Sequence, residues 1–285
     1  MRKIFSFFAI TAVVLGMASC GDGNDPVIQY PEGAIHGLFS VSANKQIMFS
    51  QGNLQYHQDK AAAKDDHFAF AEHQYDVIGK EGNEGIDKVP CTIDLFGWGT
   101  GDKPRQTSTS NADYPEFHEW GANKIRNGGN EAGLWRTLTR DEWQFLLCKR
   151  KDATKLIGMG SVEGVNGLFL LPDNWKGEPF TDTEDGLGFF TSHYRNGNPT
   201  NYEFHTYTAE QWAAMEADGA VFLPAAGWRG SDGVSRVNSH GMYWSETSRA
   251  PDEAHFLDFD EQLINPLQSR ARYCGHSVRL VKDVK

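Results

Sequence analysis

The segment at residues 229–240 holds side chains that suit molecular recognition. It carries Arg229, Asp232, Arg236 and His240 among glycines and serines, between the apolar strings FLPAAGW and MYWS. Arginine and histidine donate directional hydrogen bonds, and small residues leave a loop open to a ligand. Rigid scaffolds that present polar loops are common in binding proteins. The sequence predicts a recognition loop here, outside the packed core, although a solvated connection would have the same composition.

The following segment, residues 245–275, adds candidates on predicted loops and strand edges. They are Glu246, Arg249, His255, Arg270 and Tyr273. Mixed charge with interleaved aromatic rings suits contact with proteins or glycans. Ion pairs among these acids and bases, with no binding role, are the alternative. The neighbouring rings of Trp228, Tyr243 and Trp244 are interpreted as core residues rather than ligand platforms.

Catalytic signatures are weak in this sequence. The string HEWGA begins like a metalloprotease helix, but Ala122 stands where a second histidine must bind zinc. The string GWGTG lacks the spacing of a phosphate-binding loop and is read as a turn that packs Trp98. The sequence has neither a G-x-S-x-G nucleophile motif nor a P-loop. These patterns predict a protein that is not an enzyme, with no catalytic residues and no cofactor.

Metal-binding patterns are also incomplete. The acidic string DTEDG (182–186) misses the alternating register of a calcium loop, and PDNW (172–175) lacks the glutamate of sugar-binding calcium motifs. Three cysteines follow the first 20 residues, namely Cys91, Cys148 and Cys274, so at most one disulfide among them is possible. We therefore predict no metal site.

Composition excludes one class of partner. The 285 residues carry a formal net charge of -11, with 38 acidic against 27 basic side chains. Phosphate backbones are bound by basic surfaces, so a nucleic-acid partner is not expected. With 39% hydrophobic residues, the chain is long enough to bury a substantial core.

The N-terminus has the pattern of an export signal. Two basic residues precede an apolar run and a small-residue close before Cys20. We predict a signal peptide at 1–19, lipidation of Cys20, a tether at 20–35 and a single domain at 36–285. A lipidated cysteine would attach the protein to the outer membrane, with the cell surface as one of two possible faces. An ordinary secretion signal with a chance cysteine is the alternative.

Two segments have the pattern of capped helices. Thr139 and Glu142 form a T-x-x-E capping box ahead of Trp143, and Thr208 and Gln211 repeat the arrangement before Trp212. Gly219 is placed to end the second helix. Alternating apolar residues predict short strands at 38–50, 220–226 and 276–282. The expected fold class is α+β.

The order of several blocks resembles a known family. These blocks include GNLQY, FAEHQYDVIG, IDLFGWGTG, LWRTLTRDEWQFLL, AVFLPAAGWRG, GMYWSET and GHSVRLVK. Together they are similar to secreted Bacteroidetes-type proteins of the Fibrobacter succinogenes major paralogous domain kind. That resemblance implies a C-type-lectin-like domain with two helices, a small twisted antiparallel sheet and long loops. It also implies kinship with formylglycine-generating enzymes and with the variable proteins of diversity-generating retroelements.

The resemblance leaves function open because this fold hosts binding and catalysis alike. Formylglycine-generating relatives use paired cysteines near the C-terminus, where this chain has Cys274 alone, and the H-x-x-x-H-x-E pattern of ergothioneine-type relatives is missing. In the retroelement proteins, the region matching 245–275 forms the ligand face. The expectation is a non-catalytic binding or adhesion module for an extracellular protein or glycan. An enzyme of the formylglycine-generating type with an altered site, or a structural subunit of a surface appendage, are the alternatives.

Overall fold

The computed structural model describes residues 28–58, 67–88, 90–180, 202–203, 205–261 and 263–284. The predicted signal peptide, Cys20, the predicted tether as far as residue 27 and the acidic string at 182–186 lie outside this part of the chain. The fold is mixed α+β and dominated by strands, as the sequence predicted. None of the helices in the described part is long and apolar enough to cross a membrane.

The described residues form fifteen strands and three α-helices. The first half contains β1 (Phe39–Ser42), β2 (Lys45–Phe49), β3 (Leu54–Gln58), β4 (His67–Phe70), α1 (Gly79–Glu84), β5 (Cys91–Ile93), α2 (Arg140–Gln144), β6 (Ile157–Val162) and β7 (Val165–Leu170). The second half contains β8 (His205–Tyr207), α3 (Ala209–Ala217), β9 (Val221–Pro224), β10 (Trp228–Gly230), β11 (Gly233–Ser235), β12 (Gly241–Ala250), β13 (Glu253–Asp260), β14 (Leu263–Ala271) and β15 (Val281–Asp283).

Within the described residues the strands form five small sheets rather than the one expected. Their orders are β1-β2-β15, β4-β3-β5, β8-β6-β7-β9, β10-β11 and β12-β13-β14. All neighbouring strands pair antiparallel except β6 and β8, which run parallel. The strands predicted at 38–50 and 220–226 are confirmed. The one predicted at 276–282 is regular only from Val281 onward.

Helix α2 begins as its sequence predicts. The Thr139 hydroxyl accepts the Glu142 N–H at 3.0 Å, and the Glu142 carboxylate accepts the Thr139 N–H at 2.9 Å. The same carboxylate pairs with Arg136 at 2.7 Å, which lowers the pKa of Glu142 although burial opposes this. The helix continues as a π-helical turn over Phe145–Lys149. Trp143, Leu146 and Leu147 are fully buried, so the predicted inward face is confirmed.

Helix α3 also follows its predicted signals. Thr208 and Gln211 form the second capping box, and Trp212 is buried. Gly219 has a φ of 93°, in the left-handed region that glycine tolerates best. Its N–H donates to Glu216 O at 2.9 Å, and the Ala220 N–H donates to Met215 O at 3.0 Å. This pair of bonds is the Schellman motif, which ends the helix at the predicted glycine.

The short helix α1 was not predicted from the sequence. Its residues GKEGNE include two glycines, which disfavour helix formation. Tertiary contacts compensate, because the Asn83 amide donates to Asp94 Oδ1 at 2.7 Å and its oxygen accepts the Asp94 and Leu95 N–H groups. Burial raises the pKa of Asp94, while the bond to the Ile78 N–H favours its charged form. A buried polar cluster, rather than local propensity, holds this helix in place.

The sheet β12-β13-β14 lies between two hydrophobic clusters. Successive side chains on a strand point to opposite faces. One face contributes Tyr243, Leu257 and Phe259 to a core that also holds Trp143. The opposite face contributes Met242, Trp244 and Phe256 to a second core with Trp98 and Trp120. This sheet is therefore fixed from both sides and can hold polar groups at its edges in a defined geometry.

Candidate functional site

A cation–π contact joins the β10–β11 hairpin to the three-stranded sheet. The Arg270 guanidinium carbon lies 3.7 Å from the centre of the Trp228 ring. Both side chains are half-buried, so one side of the pair remains in contact with solvent. An arginine held over tryptophan in this way gains about 0.5–2 kcal/mol and keeps its donors directed. The pair can present an aromatic edge and a guanidinium to the same ligand.

Trp228 reaches this position because the hairpin turns tightly beneath it. A Cβ atom at Gly230 would lie 2.5 Å from the Trp228 ring. Any other residue at Gly230 would therefore displace the ring. The hairpin pairs Trp228 with Ser235 and Gly230 with Gly233, and Gly233 has a φ of 98°. Glycine at both positions allows the close approach.

Acidic groups lie on the same face of the sheet as Arg270. Asp258 and Asp260 are two residues apart on β13, so their side chains point to one side of the strand. His240 Nε2 lies 2.9 Å from Asp260 Oδ2. Arg270 pairs with Ala254 across the same face. The strand spacing thus brings two carboxylates, an imidazole and a guanidinium to one surface.

Asp258 is the most strongly perturbed acid of this group. Burial raises its pKa from 3.8 to about 6; the charges of His240 and Arg270 oppose the rise, and that of Asp260 adds to it. Asp258 Oδ1 and His240 Nδ1 have no hydrogen-bond partner among the described residues. A buried carboxylate oxygen without a donor is costly, and the cost falls on the ionised form of Asp258.

We refer to this surface as the Trp228 face. It consists of Trp228, His240, Asp258, Asp260, Arg270 and Tyr273. Tyr273 is half-buried against the same core as Trp228. The surface combines a cationic donor and carboxylate acceptors with two aromatic rings. Such an arrangement can hold a ligand that has polar groups on one side and apolar carbons on the other.

Arg229 does not belong to a recognition surface, contrary to the sequence prediction. Only 7% of the residue is exposed, and its guanidinium donates to Leu95 O at 3.1 Å and to Gln106 O at 3.4 Å. Its backbone also exchanges hydrogen bonds with Gly275. The arginine therefore lies in the interior, where it satisfies loop carbonyls. Arg229 thus has a structural role and stabilises the fold.

Much of the rest of the predicted loop is exposed, although Val234 is buried, and the segment is not irregular. Residues 228–235 form the β10–β11 hairpin instead of a loop. Asp232 lies at its tip and accepts a hydrogen bond from the Ser231 hydroxyl at 3.2 Å. Arg236 is exposed with a φ of 61°, and its carbonyl accepts the N–H groups of Ser239 and His240. These residues flank the Trp228 face and position His240.

Three other predicted residues lie away from the Trp228 face. His255 is 8% exposed, and its Nδ1 lies 3.2 Å from Gln268 O; burial lowers its pKa. Its predicted place on a ligand face is therefore wrong. Arg249 is exposed and paired with Glu253 at 2.8 Å. Arg249 also donates a hydrogen bond to the Ser269 hydroxyl. Ser269 precedes Arg270 on β14, so the side chains of Ser269 and Arg270 point to opposite sides of the sheet.

Glu246 lies near α2, apart from the Trp228 face and from His255 and Arg249. Its N–H donates to Leu138 O at 3.0 Å. Burial raises the pKa of Glu246, and the nearby carboxylate of Glu119 adds to the rise. Glu246 thus belongs to the ion-pair region around Arg136 and Glu142. The predicted set divides into separate regions, and only Arg270 and Tyr273 lie on the Trp228 face.

The strings HEWGA and GWGTG, which we interpreted as structural, do have structural roles. Ala122 ends a short 3₁₀ helix, and the Glu119 carboxylate accepts the Thr137 N–H at 2.8 Å. Trp98 is 3% exposed and donates to Ser245 O at 3.0 Å. Within the described ranges, no group of three or more acidic, histidine or cysteine side chains is placed to hold a metal ion, and none of the three cysteines there forms a disulfide.

Comparison with models of protein families, with curated proteins and with solved structures found no match for this chain.

Proposed function

We propose that this protein is a non-catalytic binding module that recognises an extracellular protein or glycan through the Trp228 face. The observation that carries the proposal is the Trp228–Arg270 contact, in which the ring and the guanidinium are both half-buried. Tryptophan, tyrosine and arginine are the residues that contribute most energy at interfaces. All three types occur on this surface in half-buried positions.

The rigidity of the surface supports recognition. The sheet that carries Arg270 and Asp258 is packed on both sides, and Arg229 fixes the hairpin that carries Trp228. Binding groups that are held in place before contact lose little conformational entropy when a partner arrives. A ligand would need hydrogen-bond donors for Asp260 and acceptors for Arg270. Both glycans and protein surfaces offer these groups.

We propose a C-type-lectin-like fold and an outer-membrane lipoprotein as the setting for this activity. The two capped helices and the small sheets support the fold assignment, which rests on the resemblance of the sequence blocks. The apolar run before Cys20 supports export and lipidation. Partners would then be met outside the cytoplasm, with the membrane contacted through the lipid anchor.

A screen of glycan and extracellular-protein arrays tests the proposed function. The parent chain is compared with Arg270→Gln, which removes the guanidinium on the Trp228 face, and with Arg249→Gln, which removes an exposed arginine on the other side of the sheet. Both variants lose one positive charge, so they are matched. We expect parent and Arg249→Gln to bind the same array members and Arg270→Gln to lose them. If Arg249→Gln lost binding to the array members while Arg270→Gln kept it, the assignment of the binding surface to the Trp228 face would be contradicted.

A further inference from the structure

An open cavity, separate from the Trp228 face, is lined by residues between positions 40 and 179. Its volume is about 440 Å³, and the residues that matter here are Gln46, Lys151, Lys155, Asp173, Trp175 and Pro179. Pockets that hold small molecules in proteins have volumes of about 300–1,000 Å³. The cavity is therefore large enough for a small ligand. Its lining combines charged groups with apolar rings.

The floor of the cavity is rigid. One Asp173 carboxylate oxygen accepts hydrogen bonds from the Ser40 N–H at 2.8 Å, the Ser40 hydroxyl at 2.7 Å and the Gln46 amide at 2.9 Å. The other oxygen accepts from Arg150 at 3.1 Å. The Arg150 side chain is fully buried and also donates to Leu171 O at 2.9 Å. These bonds tie the 172–179 loop to β1 and β2.

An indole ring forms one wall of the cavity. The Trp175 Nε1 donates to Glu178 O at 3.1 Å, which fixes the orientation of the ring. A Cβ atom at Gly177 would lie 2.8 Å from the ring, so glycine lets the loop fold closely around it. Trp175 is half-buried, and Pro179 lines the same cavity. Apolar C–H groups of a ligand can pack against these two rings.

The charges that line the cavity leave one cation unpaired. Asp173 is paired with Arg150, and Lys155 lies 3.7 Å from Asp152. Lys151 is exposed and makes no ion pair with any of the described residues. Lys151 is therefore available to a ligand with a negative group near the apolar wall.

From this geometry we infer that the cavity binds a sugar acid, a pyranose ring that carries a carboxylate. The carboxylate pairs with Lys151, with Lys155 as a second cation nearby. The C–H face of the ring packs on Trp175 and Pro179, and the ring hydroxyls bond to Gln46 and Asp173. A neutral sugar would lack the ion pair, and a simple anion would lack the apolar contact. The site is independent of the Trp228 face.

Titration of the full-length chain in mild detergent with methyl glucuronide and methyl glucoside, followed by ligand-observed NMR, tests this inference. We expect saturation-transfer signals from the glucuronide and a weaker response from the glucoside, with a Kd higher by up to about fivefold, as expected for loss of one partly exposed ion pair. The two probes differ only at C6, which is a carboxylate in one and a hydroxymethyl group in the other, so their comparison isolates the charge.

Matched variants locate the site. Lys151→Gln should weaken glucuronide binding by about fivefold. Lys155→Gln should also weaken it. Lys176→Gln, an exposed lysine on the same loop that does not line the cavity, should bind as the parent does. Equal binding of the two sugars, absence of glucuronide binding, or an unchanged Kd in Lys151→Gln would each overturn the inference. Melting curves establish that the variants fold.

Discussion

The Arg270 guanidinium lies over the Trp228 ring, 3.7 Å from its centre, and so connects strand β14 to the β10–β11 hairpin. The two residues are 42 positions apart and belong to different sheets. A guanidinium stacked on a ring loses little further freedom when it binds an acceptor. This contact therefore both holds the hairpin against the sheet and prepares Arg270 for a ligand.

Replacement of Arg229 should destabilise the fold. The Arg229→Ala variant leaves the carbonyls of Leu95 and Gln106 without their buried donor and opens a cavity under β10. An unpaired buried polar group and a cavity together cost about 2–4 kcal/mol. Thermal melting should show a clearly lower Tm than that of the parent. Replacement of Asp232 or Arg236 by alanine should change stability by no more than about 0.5 kcal/mol, as at ordinary surface positions.

This expectation replaces the one from the sequence, in which the whole segment at 229–240 lies outside the packed core. The structure places Arg229 in the interior and Asp232 and Arg236 at the surface. A Tm of Arg229→Ala equal to that of the parent would show that the guanidinium is not needed to satisfy the two carbonyls.

Asp258 should make stability depend on pH. Its pKa is raised in the folded state, from 3.8 to about 6, so the folded protein holds this proton more tightly than the unfolded chain. Stability from this group is therefore greatest below about pH 4 and is lost as pH rises to about 6. The difference between the two pKa values corresponds to about 3 kcal/mol.

The Asp258→Asn variant should remove this dependence. Relative to the parent, its Tm should rise between pH 4 and pH 7, because the amide has no charge to bury. Asp232→Asn, at the exposed hairpin tip, serves as the control and should follow the parent at each pH. A constant Tm difference between Asp258→Asn and the parent across this range would show that the carboxyl ionises without cost.

Trp143 should be essential for stability. The ring is fully buried at the centre of the core between α2 and the β12-β13-β14 sheet, and its Nε1 lies 3.5 Å from Trp244 O. Truncation of a buried tryptophan to alanine costs about 3–5 kcal/mol. Trp143→Ala should melt far below the parent in calorimetry, whereas Asp141→Ala, an exposed change on the same helix, should not. Similar melting curves for both variants would place the ring outside the core.

Cys20 should determine attachment to the membrane. If its thiol is lipidated, Cys20→Ala should release the protein from sedimented envelopes, because the acyl chains supply the attachment. Cys148→Ala is the matched control, since it removes a cysteine within the domain. Fractionation by ultracentrifugation and immunoblotting checks both. A Cys20→Ala protein that still sediments would mean that another feature provides attachment.

Local signals in the sequence predicted the capped helices well, because Thr139 with Glu142 and Thr208 with Gln211 satisfy backbone groups within four residues. Burial of Tyr243 and Trp244 was also predicted. Helix α1 was missed because Asn83 and Asp94, rather than local propensity, stabilise it. The burial of Arg229 was missed because its partners are more than 120 residues away.

The candidate site was predicted only in part. Arg270 and Tyr273 were included, but Trp228 was assigned to the core, and Asp258 and Asp260 were not considered. The alternation in FLDFD did contain a usable signal, because residues two apart on a strand share a face. The pairing of His240 with Asp260 depends on how the hairpin and β13 meet, which the sequence pattern does not specify.

Hydrogen–deuterium exchange of the full-length chain, with and without a partner found on the arrays, tests the central claim most directly. If the Trp228 face binds the partner, amides in residues 228–235, 239–242 and 268–273 should exchange more slowly in the complex. Amides near Arg249 and Glu253, on the other side of the sheet, should be unchanged. Protection limited to the region of Arg249 and Glu253, with none around Trp228 and Arg270, would contradict the proposed binding surface.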